Sequence, residues 1–168
     1  TTTPWTLPSN VALVVNPDVV YVRVKFEGSI YIMAKELVQT VLGEDYEILS
    51  EITGKDLVGM EYEPLYSFAN TDKKGWYIVA DGYVTTTDGT GIVHTEPAFG
   101  EDDYNCGRKY NLPVLQPVDE SGKFTATPWE GKFVMEEGLD VEIIKWLAHE
   151  NKLFDKFKGE HNYPHCWR

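Results

Sequence analysis

The chain has 168 residues with ordinary hydrophobic and charged fractions, enough for one compact domain with a core. Its formal net charge of −12 excludes a long nucleic-acid footprint, which needs clustered Lys and Arg, but allows contact with one nucleotide at a strand end. Apolar runs such as VALVV are too short to span a bilayer, and two distant cysteines, Cys106 and Cys166, suit a reducing compartment rather than a disulfide framework. Without an initiator methionine or a signal-peptide pattern, the chain reads as a single domain, residues 1–168, cut from a longer protein.

In chain order, TTTPWTLPSN (residues 1–10) is dense in hydroxyls, and Pro4 and Pro8 forbid a long helix there. VALVVNPDVVYVRVKF reads as a hairpin of half-buried strands around NPD, and SIYIMA as a further strand. KELVQTVLG places Leu37, Val41 and Leu42 on one helical face and ends at Gly43. Short strands broken by Gly54 and Gly59 follow, then two strands around a Thr-Asp-Gly turn in WYIVADGYVTTTDGTGIVHTEP. EDDYNCGRKYN predicts a helix with acids in its first turn. LPVLQPVDESGKFT returns to strand with DESG as a turn, and LDVEIIKWLAHENKLF is an amphipathic helix with Val141, Ile144, Trp146, Leu147 and Leu153 toward one side. Many short strands with few helices predict a strand-rich barrel in an α+β domain.

The chemistry concentrates in two stretches. The hydroxyls of Thr1, Thr2, Thr3, Thr6 and Ser9 suit ribose hydroxyls or a held water, and equally suit an edge strand and loop. In GTGIVHTEPAFGEDDY, His94 ends a strand; it either caps a loop or ligates a metal, although no HxxxH or CxxC partner stands near. Glu101, Asp102 and Asp103 either complement a helix dipole or include one inward carboxylate that keeps its charge and holds an ammonium group. His165 and Cys166 supply only two metal-type donors. No GxSxG elbow, P-loop or GxGxxG is present, and nothing in the sequence activates Cys106.

TTTPWTLPSN, GTGIVHTEPAFGEDDY, the terminal YPHCWR and the intervening DLVGMEYEPL together resemble the inserted editing domain of the isoleucyl-tRNA synthetase family, over the whole chain and in order. The related valyl and leucyl enzymes carry an arginine where Thr3 stands and lack PWTLP as written, which favours the isoleucyl member. The resemblance implies a β-barrel editing domain with peripheral helices. It also implies hydrolysis of valyl-tRNA for isoleucine and of valyl-adenylate, with isoleucine excluded. Isoleucyl-tRNA synthetase is itself the standard example of the physics: one methylene gives limited discrimination, so a second site removes the smaller product.

By the same resemblance, Asp103 pairs with the substrate ammonium, and His94 lines the side-chain pocket. Thr1, Thr2 and Thr3 contact the substrate backbone and terminal adenosine. Trp5, Thr6 and Phe99 line the pocket, and Asn10 lies near the site. Thr2, Thr3, His94 and Asp103 are the expected catalytic set. The partners implied are the 3′ end of the tRNA carrying valine, valyl-adenylate and the catalytic core of the same chain, in a cytoplasmic monomer. The full enzyme would use ATP, magnesium and zinc. This segment is expected to hold no metal, because Cys166 is half of a severed CxxC. A tRNA-end binding module inactive in isolation and an unrelated metallohydrolase are the rival readings. One departure stands out: Glu96 occupies a position where the family has alanine, on the same side of a continued strand as His94, so it either faces outward or bonds the histidine.

Overall fold

The computed structural model describes residues 1–68 and 70–158. A 3₁₀ segment, Pro4–Ser9, leads into strand β1 (Ala12–Val15), followed by β2 (Val20–Phe26) and β3 (Ser29–Ala34). Helix α1 (Val38–Leu42), β4 (Glu47–Thr53) and the single turn α2 (Gly54–Leu57) come next. Strands β5 (Tyr77–Ala80) and β6 (Ile92–Thr95) precede helices α3 (Glu101–Tyr110) and α4 (Leu139–His149). His165 and Cys166, and with them the proposed severed metal pair, lie outside the described residues.

The strands form two three-stranded sheets. One has the order β5-β1-β6, with β5 parallel and β6 antiparallel to β1; the other has the order β3-β2-β4, all antiparallel. β2 shows why: Val22 and Val24 are buried while Arg23 and Lys25 face water, the alternation of a sheet with one wet face. β1 is apolar without a break, as befits a central strand covered on both sides.

The expected β1–β2 hairpin does not form. β1 is flanked by β5 and β6, and the NPD turn is a corner between sheets. Asn16 holds that corner, its Nδ2 donating to the Val84 carbonyl at 2.9 Å. Gly54 starts α2 rather than ending a strand; a Cβ there would stand 1.9 Å from the Asn16 carbonyl oxygen, so no larger residue fits against the corner.

The strand-rich α+β expectation holds in its coarse form. No ladder among the described residues closes the sheets into a barrel. They meet across a common core of Val15, Tyr21, Ala34, Leu37, Leu57 and Ile78. At one edge the Ala34 N–H donates to the Thr90 carbonyl at 2.9 Å. At the other, the stretch after α2 lies against β5, with Ile78 N–H on the Met60 carbonyl at 2.9 Å and Tyr62 N–H on the Trp76 carbonyl at 3.0 Å.

Two further expectations change. The stretch after α3 makes only isolated bridges, Val118 with Phe124 and Lys123 with Phe133, because Pro113 and Pro117 lack the donors of a regular strand. In α4 the buried stripe is Leu139, Ile143 and Leu147, spaced four apart, whereas Val141 is exposed. That stripe packs on Tyr66, Phe124 and Trp129, with Trp5, Leu7 and Phe99 at the margin of the cluster. α4 therefore backs the amino-terminal segment.

Candidate active site

β6 carries the histidine. Its pairing with β1 sets His94 opposite Leu13, directly beyond the turn that brings residues 4–10 alongside. Asn10 Nδ2 lies 3.0 Å from His94 Nδ1, and Thr6 Oγ1 lies 3.2 Å from His94 Nε2. Thr6 Oγ1 also donates to the Thr3 carbonyl at 3.0 Å. Pro4 and Pro8 shape this segment as 3₁₀ turns, which turn Thr6 and Asn10 inward, both nearly fully buried.

Glu96 follows His94 by two residues, and its Oε2 stands 2.8 Å from His94 Nε2. This is ion-pair distance, but the oxygen lies off the hydrogen-bonding direction and is buried without a hydrogen-bond donor among the described residues. Glu96 therefore faces the histidine rather than outward, at ion-pair distance but without the hydrogen bond of the second alternative.

Asp103 reaches the same region from the first turn of α3, while Glu101 and Asp102 are exposed. Burial pushes the Asp103 carboxyl up to about 6, and the Glu96 charge adds to this. His94 and a hydrogen bond from the Glu96 backbone act the other way. The helix dipole was expected to keep this acid fully charged; desolvation outweighs it. The Tyr83 hydroxyl is 3.5 Å from Asp103 Oδ1, at the outer limit of a hydrogen bond, so Asp103 has no strong donor from that side. A Cβ on Gly100 would lie 2.5 Å from Asp103 Oδ2, so the loop before α3 is closed tightly over the carboxylate.

Trp5 and Phe99 meet edge-to-face with ring centroids 5.0 Å apart. Asp140, in the first turn of α4, lies by the Trp5 backbone N–H; burial raises its carboxyl and that N–H acts the other way. Thr3 is half-buried and offers its carbonyl to Thr6, whereas Thr1 and Thr2 are exposed; Thr1 Oγ1 accepts from the Thr3 N–H at 3.0 Å. The structure thus joins Thr6, Asn10, His94, Glu96 and Asp103 into one cluster, sets Trp5 and Phe99 as an aromatic pair, and leaves Thr1 and Thr2 at the open edge. Tyr62, Trp76 and Asp140 also touch this region. Tyr62 lies in DLVGMEYEPL, but its sequence alone assigns no site role to any of the three, because each arrives from a part of the chain distant from the two stretches that hold the other site residues.

The cluster offers hydroxyls, an imidazole and two carboxylates. That set can hold an ammonium group and orient a water beside an ester carbonyl. Burial raises the Cys106 thiol to about 11, which removes it as a nucleophile near neutrality. Among the described residues, no three His, Cys, Asp or Glu side chains converge in a way that would hold a metal ion.

No family model matches the chain. It is 50% identical over 170 residues to isoleucine–tRNA ligase of Clostridium novyi, and equally to that of Bacillus thuringiensis, covering 100% of this chain and 16% of each of those proteins. Among solved structures, GlLeuRS-CP1 superposes with a TM-score of 0.72 at 16% identity, over 97% of this chain and 83% of that one. The P. knowlesi cytosolic leucyl-tRNA synthetase editing domain superposes with a TM-score of 0.67 at 15% identity, over 90% of this chain and 80% of that one. At these identities the second pair speaks to the fold alone. The chain is the counterpart of one segment of the isoleucine–tRNA ligases, and that segment has the fold of a synthetase editing domain.

Proposed function

We propose that this segment is a proofreading hydrolase that cleaves valine from mischarged tRNA for isoleucine, and valyl-adenylate by the same route, while excluding isoleucine. The half-identical ligases and the editing-domain fold support the reading. The observation that carries it is the inward-facing Asp103 beside the His94 cluster, in a site with no activated covalent nucleophile. An aminoacyl ester is already activated, so positioning a water and the substrate is the main task.

In this reading Asp103 holds the α-ammonium group as a charge-assisted anchor. His94 lines the side-chain pocket, sized for valine; a clash rejects the extra methylene of isoleucine more strongly than a lost contact would reject a smaller group. Trp5 and Phe99 form an apolar wall, and Thr6 and Asn10 set the histidine. Thr1, Thr2 and Thr3, at the open edge, receive the terminal adenosine. The closed barrel belongs to the same reading, supported by the core and backbone hydrogen bonds that join the two sheets. So do a cytoplasmic monomer and docking against the catalytic core of a longer chain. In this reading ATP, magnesium and zinc belong to other parts of that enzyme.

A second reading, a module that holds the tRNA end without hydrolysis, is favoured by the net charge of −12, which leaves most tRNA affinity to other parts of the enzyme. Deacylation assays of valyl- and isoleucyl-tRNA for isoleucine, with chelator present, separate the readings. Release of valine with isoleucine spared supports the hydrolase. Retention of small valyl-adenosine analogues without release supports the module. Release abolished by the chelator would replace both with a metallohydrolase.

A further inference from the structure

Tyr62 comes from the irregular stretch after α2, within DLVGMEYEPL, a stretch that carries the family resemblance but to which the sequence assigns no role in the site. Its hydroxyl donates to Asn10 Oδ1 at 2.6 Å. Burial raises the pKa of this phenol further than the bond to Asn10 lowers it, so the hydroxyl keeps its proton and remains a donor.

The bond fixes which way the Asn10 amide faces. Asn10 Nδ2 donates to the Ala12 carbonyl at 3.0 Å. A flipped amide would set oxygen against that carbonyl oxygen and strip Tyr62 of its acceptor. With the amide so held, Asn10 presents N–H to His94 Nδ1 at 3.0 Å, and that nitrogen must accept. The proton of neutral His94 therefore sits on Nε2. There it meets Thr6 Oγ1, whose own proton is committed to the Thr3 carbonyl, while Glu96 Oε2 stands nearby but off the hydrogen-bonding direction. Each donor in the chain from Tyr62 to Thr3 has one acceptor, and the direction is consistent throughout.

The backbone of Asn10 is clamped as well. Trp76 Nε1 donates to the Asn10 carbonyl at 3.0 Å, and the Trp76 N–H bonds the Val11 carbonyl at 2.6 Å. Trp76 does this with φ of 57°, a left-handed conformation that a bulky side chain adopts only when its surroundings enforce it.

We infer that Tyr62 is a positioning residue of the site: through Asn10 it locks His94 in the Nε2–H tautomer and in one ring orientation. The inference deepens the proofreading reading, and its consequence for turnover rests on that reading. His94 has both ring nitrogens engaged. It serves as a rigid wall and an N–H donor toward Thr6, not as the base that deprotonates water.

The test is nitrogen NMR of the histidine ring at neutral pH, in the folded chain, without substrate. The wild type is expected to show a pyridine-type Nδ1 and a protonated Nε2. Tyr62→Phe, which removes one oxygen, is expected to introduce a second tautomer. Asn10→Asp, which places an acceptor opposite Nδ1, is expected to move the proton to Nδ1. In deacylation of valyl-tRNA, Tyr62→Phe should lower kcat by about tenfold with KM changed less than about twofold. A protonated Nδ1 in the wild type overturns the inference, as do ring signals unmoved in both variants. Should Tyr62→Phe fail to fold, the wild-type spectrum and Asn10→Asp still decide. Ring signals that behave as expected in a chain that releases no valine would uphold the latch and refute the hydrolase.

Discussion

The two nitrogens of His94 face surroundings of opposite kind. On the Nδ1 side stand Asn10, Tyr62 and Trp76, all neutral and each with its hydrogen bonds made. On the Nε2 side, beyond Thr6, stand Glu96 and Asp103, two half-buried carboxyl groups, one with an oxygen that has no donor. A satisfied neutral network confers rigidity, because every alternative orientation leaves a buried polar atom unpaired. An under-satisfied anionic pair is costly until a cation arrives, so its free energy is available to a ligand. The site therefore divides into a frame and a receptor, and the histidine is the boundary.

The comparison breaks most visibly at Asp103. Asp103→Ala removes the receptor's anchor and should lower kcat/KM for valyl-tRNA deacylation by about a hundredfold to a thousandfold, roughly the cost of losing one partner of a buried charge pair. The same residue should be a liability to the fold. Its carboxyl is raised from 3.8 to about 6, so its contribution to stability is fully present below pH 3.8 and is lost as pH rises through about 6. Asp103→Asn should flatten that part of the stability–pH curve and leave the variant more stable than wild type at pH 7, as read by denaturant titration. Equal slopes for the two proteins would contradict the assignment.

Glu96→Gln sharpens the receptor side. Removing its charge should lower the Asp103 titration from about 6 toward the ordinary carboxylate range, seen in carboxyl carbon NMR. An unmoved Asp103 would show that the two carboxyl groups do not interact. The smallest effect concerns the frame's outer support. Asp140→Asn removes the carboxylate charge beside the Trp5 backbone N–H and should cost about 1 kcal/mol or less of stability, with a modest rise in KM.

Legibility followed distance along the chain. α3 and its acid-rich first turn were readable because helix signals are local, but they left Glu101, Asp102 and Asp103 alike; only the family resemblance singled out Asp103. The period-two relation of His94, in β6, and Glu96, just beyond its end, correctly placed both on one side. The β1–β2 hairpin was misread because the true partners of β1 lie more than sixty residues onward, at Tyr77–Ala80 and Ile92–Thr95, and strand pairing leaves no local mark. The stripe of α4 was misassigned because Val141 and Leu139 look alike in sequence, and only the aromatic cluster beneath decides which is covered. Tyr62 belongs to DLVGMEYEPL, but its role was unreadable for a similar reason: a tyrosine in an irregular stretch carries no sign of an asparagine fifty-two positions earlier.

The account's central claim is that the anionic face of the cluster receives an ammonium group, and calorimetry tests it most directly. A non-hydrolysable valyl-adenosine amide would be titrated into the chain near pH 5.5, in buffers of different ionisation heat. The account predicts binding that releases up to about one proton as Asp103 gives up its proton to pair with the ligand, and loss of both binding and release in Asp103→Asn. Equal affinity for an analogue whose amine is acetylated, or binding without proton release, would contradict it.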